Sequence, residues 1–199
     1  MKTAALVLFG SLAWMAASAF AAAPPDQTAA QIAAIRAATA KYLDVEKAKA
    51  DGYAQISLMV PNMGHHFLNK DIKGLELERP HILLYVKTKA ESWQLVGVEY
   101  GWPKGNQPPD DQVPFRKPQW SVHEAACHFK DANEIFEKDK DKCPAKHPKT
   151  GVEFAFWHPD LETLHIWAWY PNPRGVFAAT NPLLAPFNPP PPPKSAKKK

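Results

Sequence analysis

The body of this chain lacks the excess of positive charge that a nucleic-acid-binding face needs. The 199 residues carry a formal net charge of +4, but Lys2 and the four lysines of residues 194–199 account for all of it. Without them, residues 22–193 have a formal net charge of −1. We therefore expect no nucleic-acid partner, and we expect the Lys-rich tail to supply any contact with an anionic surface.

Several motifs that mark common enzyme classes are also missing. There is no glycine-rich phosphate loop and no regular alternation of strands and helices, which argues against Rossmann and P-loop proteins. No serine lies in a GxSxG elbow, so a serine hydrolase is not expected. His128 follows His123 by five residues, whereas the HExxH zinc motif needs two histidines four residues apart on one helix face.

The N-terminal residues have the organisation of a secretory signal peptide. Lys2 precedes an apolar run over residues 4–17, and residues 18–21 (SAFA) supply an exit of the A-x-A type. We predict a signal peptide over residues 1–21 and export of the protein, which would be periplasmic or extracellular. A membrane anchor is the alternative, but the run is short for a bilayer span. After cleavage we expect no transmembrane segment.

The chain has two cysteines, Cys127 and Cys143. In an oxidising compartment such a pair predicts a disulfide bond. Fifteen residues separate them. Closing a loop of this size stabilises a fold by about 3 kcal/mol on the chain-entropy estimate. The alternative is a metal-bound thiolate next to His128.

Hydrophobic periodicity predicts the fold class α+β, with a mostly antiparallel sheet, one long N-terminal helix and long Pro-rich loops. The helix is expected over residues 26–50, with Asp44 as a point where it could restart. The other expected elements are a strand over 53–60, a hairpin of 81–87 with 94–100, a short helix within 120–129, a hairpin of 152–158 with 163–170, and loops over 101–119 and 171–193. We expect one domain over residues 22–187 and a disordered Pro/Lys tail over residues 188–199.

The second hairpin would build an aromatic face. If it closes symmetrically, strand alternation places the same-face side chains of its two strands together. These side chains are Phe154, Phe156, His158, His165, Trp167 and Trp169. We interpret Phe154, Phe156, Trp167 and Trp169 as a ligand-binding wall that would stack a planar or apolar small molecule, haem included.

Glu99 is a carboxylate in an apolar strand, with Val96, Val98 and Tyr100 expected on the opposite face. It either points to solvent or needs a buried partner. His66 from the MGHH segment, Glu99 and His165 could converge as a site of two histidines and one carboxylate. Such a donor set suits a divalent transition metal: Zn, Cu, Fe or Mn.

Four further histidines are reserve ligands for this metal: His65, His123, His128 and His158. The alternative for all of these residues is ordinary packing, with hydrogen-bonded histidines stacked among tryptophans in a sheet. Spacing alone does not separate the two interpretations, because the histidines have no compact spacing of the CxxC kind.

Several runs of the chain resemble an uncharacterised family of secreted bacterial proteins. The runs are KYLDVEKAKADGY, MGHHFLN, LVGVEY, WSVHEAACHF and WHPDLETLHIWAWYPNPRGVFAATNPL, which together span most of residues 40–187. The most distinctive is LHxWxW from Leu164, followed by NPxGxF from Asn172 and a second NP at Asn181. The resemblance implies export and a single compact domain, and it assigns no reaction or ligand.

Three function classes follow from these observations. The first is an exported metal-binding protein, which requires His66, Glu99 and His165 within ligand distance of one another. The second is a small-ligand binding module, which requires a concave pocket lined by the four aromatic residues. The third is an envelope-associated structural protein with a filled core and a tail that contacts an anionic surface. Whether the protein is an enzyme stays open.

Overall fold

A computed structural model describes residues 27–189. Of the expected segments, the signal peptide and residues 190–199 of the tail lie outside this range. The described part is mostly antiparallel sheet with few and short helices. The strands are β1 (Ala54–Gln55), β2 (His65–Leu68), β3 (Ile82–Lys87), β4 (Trp93–Pro103), β5 (Trp120–His123), β6 (Ala126–Phe129), β7 (Glu134–Phe136), β8 (Phe154–His158) and β9 (Leu161–Ile166). Among the residues described, no helix is both long enough and apolar enough to cross a bilayer.

The prediction of one long N-terminal helix is wrong. The segment contains helix α1 (Thr28–Thr39), a 3-10 turn (Ala40–Leu43) and helix α2 (Val45–Ala50). The break falls at Asp44, whose backbone is extended and whose carboxylate accepts a hydrogen bond from the backbone N–H of Glu46. Asp44 therefore caps the start of α2, as aspartate commonly does.

Six strands form the main antiparallel sheet in the order β1-β2-β3-β4-β9-β5. The predicted hairpin of 81–87 with 94–100 is confirmed as β3 and β4. The predicted strand over 53–60 is reduced to the two residues of β1, and Val60 forms a single bridge to Gly64. Three further strands make a smaller sheet in the order β7-β6-β8.

The expected helix within residues 120–129 is replaced by two strands in different sheets. β5 is the edge strand of the main sheet, and β6 is the central strand of the small sheet. All four residues of β6 are buried. A strand covered on both faces has a continuous apolar run rather than alternation, so its sequence is hard to distinguish from that of a buried helix.

The expected hairpin of 152–158 with 163–170 does not form. β8 pairs with β6, whereas β9 lies between β4 and β5 in the other sheet. The chain crosses between the sheets at Asp160, whose Oδ1 accepts a hydrogen bond from the backbone N–H of Ala125 at 2.9 Å. Ala125 itself lies where the chain crosses from β5 to β6, so this bond fixes both crossings at one corner.

The two faces of the main sheet are covered differently. One face packs against α1 and α2 through a large apolar cluster that includes Ile35, Leu83 and Tyr85. On the other face a smaller cluster, which includes Trp167 and Leu184, packs under the 3-10 segment Pro182–Phe187. The rest of this second face looks towards the small sheet, and the polar residues considered below lie there.

A bulge in β4 decides which side chains share a face with Glu99. Leu84 is paired with Gly97 and Tyr85 with Leu95, so Val96 is the extra residue. Leu95 consequently joins the helix-covered cluster, while Val96 joins the smaller one. The expectation that Val96 lies on the face opposite to Glu99 was wrong, because strict alternation does not pass through a bulge.

Candidate metal centre

The residues of the predicted metal triad come from three strands of the main sheet and share one face. Glu99 in β4 lies directly opposite His165 in β9 and opposite Ile82 in β3. His66 in β2 lies opposite Leu84, on the far side of β3. Directly paired residues in an antiparallel sheet project from the same face. The pairing thus brings together residues that are distant in sequence.

The three side chains meet in a buried cluster. His66 Nε2 lies 3.2 Å from Glu99 Oε2, and His165 Nε2 lies 3.5 Å from Glu99 Oε1. One ligand atom from each residue lies within 4.8 Å of the other two. The exposed fractions are 4% for His66, 1% for Glu99 and 0% for His165. Glu99 is therefore a buried carboxylate with partners, and the solvent-facing alternative is excluded.

The outer nitrogens of both imidazoles are held by serine hydroxyls. His66 Nδ1 lies 2.8 Å from Ser57 Oγ, which also accepts from the backbone N–H of His66 at 3.0 Å. His165 Nδ1 lies 3.3 Å from Ser121 Oγ. These contacts fix the ring orientations, as partners behind metal-binding histidines commonly do.

The inner atoms of the same residues contact one another, with His66 Nε2 at 3.2 Å from Glu99 Oε2, but they have no hydrogen-bond partner outside the triad. They are His66 Nε2, Glu99 Oε2 and His165 Nε2. Buried polar atoms are nearly always paired, and an unpaired one costs roughly 1–3 kcal/mol. Three buried ligand atoms without a hydrogen-bond partner outside the triad are an arrangement that a bound cation would satisfy.

The charge state of Glu99 suits metal binding. Burial raises the pKa of Glu99, but the imidazoles of His165 and His66 lower it more, so that the pKa lies well below its ordinary value. Burial lowers the pKa of His165, against the opposing influence of Glu99. The lowered pKa keeps Glu99 a carboxylate at neutral pH, which is the form that coordinates metals.

A cavity of about 130 Å³ adjoins the triad, between the main sheet and the small sheet. Its walls include Ile56, Ile82, Phe156 and Leu161, together with Glu99 and Glu134. Five of the eight histidines in the chain also line it: His66, His81, His123, His128 and His158. Histidine is therefore concentrated at this cavity rather than spread over the sheets.

Three of the four reserve ligands lie at this cavity. The His123 ring centroid is 6.0 Å from that of His66 and 6.1 Å from that of His158, and His158 is 5.0 Å from His128. Burial lowers the pKa of His123 and of His128 to about 4. The fourth reserve ligand, His65, packs against Trp93 and is absent from the cavity walls.

The proposed aromatic wall is not assembled, because the hairpin that would build it does not form. Only Phe156 lines the cavity. Phe154 contacts Phe129 instead. Trp167 is in the smaller apolar cluster, and Trp169 packs against the helix-covered cluster, where its Nε1 donates to Thr39 Oγ1 at 2.9 Å.

Four residues of the triad's surroundings were not identified from the sequence: Ser57, His81 and Glu134 line the cavity, and Ser121 lies behind His165. The hydroxyls of Ser57 and Ser121 contact the Nδ1 atoms of His66 and His165. Each serine lies within a predicted strand or helix, and nothing in the neighbouring sequence marks it as part of a site. His81 accepts a hydrogen bond from the backbone N–H of Gly101 at 2.6 Å, which is a structural role. Burial raises the pKa of Glu134, although His66 opposes this shift. Glu134 begins β7 in a highly charged segment, so its sequence gives no sign of burial.

Cys127 and Cys143 form a disulfide bond, with their Cα atoms 5.7 Å apart. The bond ties β6 to the segment after the 3-10 turn Lys140–Lys142. Both thiols are consumed. The alternative of a metal-bound thiolate is therefore wrong, and the metal candidate rests on nitrogen and oxygen atoms alone.

Comparison with known proteins gives no match to a protein-family model, a curated protein sequence or a solved structure.

Proposed function

We propose that this chain is an exported protein that binds one divalent transition metal ion through His66, Glu99 and His165. The observation that carries the proposal is the convergence of three buried ligand atoms, which lie within 4.8 Å of one another and have no hydrogen-bond partner outside the triad. The Nδ1 atoms of the two histidines, which point away from the triad, are already held by serine hydroxyl groups. A packed core that served stability alone would leave few such atoms unpaired.

The donor set restricts the choice of metal. Two imidazole nitrogens and one carboxylate oxygen suit Zn, Cu, Fe or Mn. Soft, thiolate-dependent sites are disfavoured because both cysteines are in the disulfide. Three protein ligands leave coordination positions open, and the neighbouring cavity gives a small molecule room beside the ion.

Export is the second part of the proposal. The signal-peptide pattern of residues 1–21 supports it, and so does the disulfide, because disulfides persist mainly in oxidising compartments. We expect the mature protein, recovered from the periplasm or the medium, to begin at Ala22. Mass spectrometry of the intact protein tests this, and a full-length protein retained in the cytoplasm would contradict it.

Elemental analysis of protein purified from its native compartment tests the metal site. We expect close to one equivalent of metal in the wild type and little in His66→Ala or His165→Ala. His65→Ala is the matched control, because it removes the adjacent histidine, which contacts Trp93 and Gln55 instead. We expect it to keep its metal.

Two outcomes would overturn the metal proposal. One is a wild-type protein without stoichiometric metal that also fails to bind added Zn²⁺, Cu²⁺, Fe²⁺ or Mn²⁺. The other is an equal metal content in His66→Ala and His65→Ala. Circular dichroism of each variant shows whether it is folded, and Glu99→Gln, which preserves the volume of the side chain, provides a third test of the site.

A further inference from the structure

His128 has a buried nitrogen that the metal triad does not explain. Its Nδ1 lies 2.9 Å from the backbone carbonyl oxygen of Ile56. A carbonyl oxygen only accepts, so Nδ1 carries the proton, and Nε2 of the neutral ring keeps a lone pair. That Nε2 is buried without a hydrogen-bond partner, in a residue that is 2% exposed.

The ring of His128 is held in place and stays neutral. It stacks on Phe156 with the ring centroids 4.5 Å apart and the planes within 7° of parallel. Burial lowers its pKa to about 4. Near neutral pH the ring therefore offers an acceptor in a fixed orientation.

The nearest imidazole does not satisfy this acceptor. His158 Nδ1 lies 2.7 Å from the carbonyl oxygen of Pro159, so it too is the protonated nitrogen. Burial also lowers the pKa of His158. In neutral rings both Nε2 atoms are then acceptors, and neither can donate to the other. His128 Nε2 therefore keeps an acceptor that no described residue satisfies with a hydrogen bond.

The cavity walls indicate what kind of molecule would donate to this acceptor. They combine apolar side chains, five imidazoles and the carboxyl groups of Glu99 and Glu134, and they include no lysine or arginine that would neutralise an anion. The volume of about 130 Å³ is close to that of an engineered cavity of about 150 Å³ that accepts benzene. About six to eight non-hydrogen atoms would therefore fill it.

We propose that this cavity binds a small uncharged organic molecule that donates an N–H or O–H group to His128 Nε2. The apolar part of the molecule packs against Ile82, Phe156 and Leu161. This inference goes beyond the metal site, because His128 receives the donor whether or not a metal is bound. The cavity also borders the metal triad, because His66 and Glu99 are among its walls.

Phenol and toluene test the proposal as a matched pair of probes, since they have nearly the same shape and only phenol has a donor. Binding is measured by calorimetry on chelator-treated, metal-free protein, which removes any phenolate–metal contact. His128→Phe retains an aromatic ring for stacking but lacks the acceptor. We expect the Kd of phenol relative to that of toluene to rise about 10-fold in this variant, which corresponds to the loss of one hydrogen bond.

A measurement on the wild type makes the test independent of that variant. In ¹⁵N-histidine-labelled protein, phenol should shift the Nε2 resonance of His128 strongly, and toluene should leave it nearly unchanged. The proposal fails if phenol does not bind, if both probes move the resonance equally, or if His128→Phe keeps the phenol preference. Metal titration of the same preparation reports on the triad separately, so failure of either proposal is distinguishable from failure of the other.

Discussion

The two faces of the main sheet treat their buried polar atoms in opposite ways. Under the helices, the hydroxyl of Tyr85 donates to the carbonyl of Tyr42 at 2.6 Å, and that of Tyr53 donates to the carbonyl of Pro80 at 2.5 Å. On the cavity face, His66, Glu99 and His165 each have a buried atom without a hydrogen-bond partner outside the triad, and His128 of the small sheet, across the cavity, has another. The difference separates a face completed by the chain from one that needs a further component.

The contrast has one exception among the described residues. Glu162 Oε2 is also buried without a partner. Glu162 alternates with Leu164 and Ile166 in β9, so it belongs to the helix-covered face, near the end of the strand. A single such atom is ordinary in a native fold, whereas four in the triad and the cavity beside it are not.

The largest expected effect is on the helix-covered face, where packing determines stability. Leu83 is completely buried in its apolar cluster, so Leu83→Ala removes packed side-chain atoms and leaves a cavity. We expect the free energy of unfolding to fall by about 2–5 kcal/mol, as measured by urea denaturation. The metal content of the folded variant should equal that of the wild type.

A loss of metal in folded Leu83→Ala would break the comparison between the faces, because it would mean that the triad depends on packing beneath the helices. Tyr85→Phe is a milder control on the same face. It removes one hydroxyl that donates to a backbone carbonyl, and it should cost roughly 1 kcal/mol without affecting the metal.

The features of the fold and of the site that depend on short-range sequence pattern or on residue chemistry could be predicted from the sequence. The β3–β4 hairpin follows from two apolar runs with a polar turn between them, and the disulfide follows from two cysteines in a chain expected to be exported. The triad was predicted from residue chemistry: a carboxylate in an apolar strand requires a partner, and imidazole is a suitable one.

The parts that depend on pairing between distant strands could not be predicted in this way. β8 and β9 are adjacent in sequence and each is a good strand, yet they belong to different sheets. The aromatic wall failed with that pairing, and only Phe156 reached the cavity. The bulge at Val96 and the burial of Glu134 likewise depend on the neighbouring strands, which local periodicity does not reveal.

Acid should destabilise the cavity face through its neutral histidines. The ordinary pKa of histidine is 6.5, and burial lowers that of His123 and of His128 to about 4. Between these values the unfolded chain binds more protons than the folded one, so stability is lost as the pH falls from about 6.5 to about 4. His128 alone contributes about 3 kcal/mol to this loss.

Denaturation of metal-free protein at a series of pH values measures this effect. We expect the free energy of unfolding of His128→Phe to fall less steeply over that range than that of the wild type. The difference between the two slopes should correspond to about one bound proton. Leu83→Ala is the control, because it should lower the whole curve without changing its pH dependence. Parallel curves for His128→Phe and the wild type would show that His128 is not a buried neutral imidazole.

The smallest expected effect concerns the serine hydroxyls behind the triad. Ser57 lies 2.8 Å from His66 Nδ1, and Ser121 lies 3.3 Å from His165 Nδ1. Groups that orient metal-binding histidines typically contribute about 10-fold to affinity. We expect Ser57→Ala to weaken Zn²⁺ binding about 10-fold in competition with a chelator, and Ser121→Ala to weaken it less because its contact is longer.

Ser92→Ala is the matched control for this series, since Ser92 is an exposed residue whose hydroxyl contacts Thr88. If the hydroxyls orient the metal-binding histidines, the Zn²⁺ affinity should follow a graded order. The Ser92 variant should bind like the wild type, and the Ser57 variant should bind most weakly. Equal affinities in all three variants would show that the hydroxyls merely fill space. The unpaired inner nitrogens would then have to be oriented by the sheet itself rather than by the groups behind them.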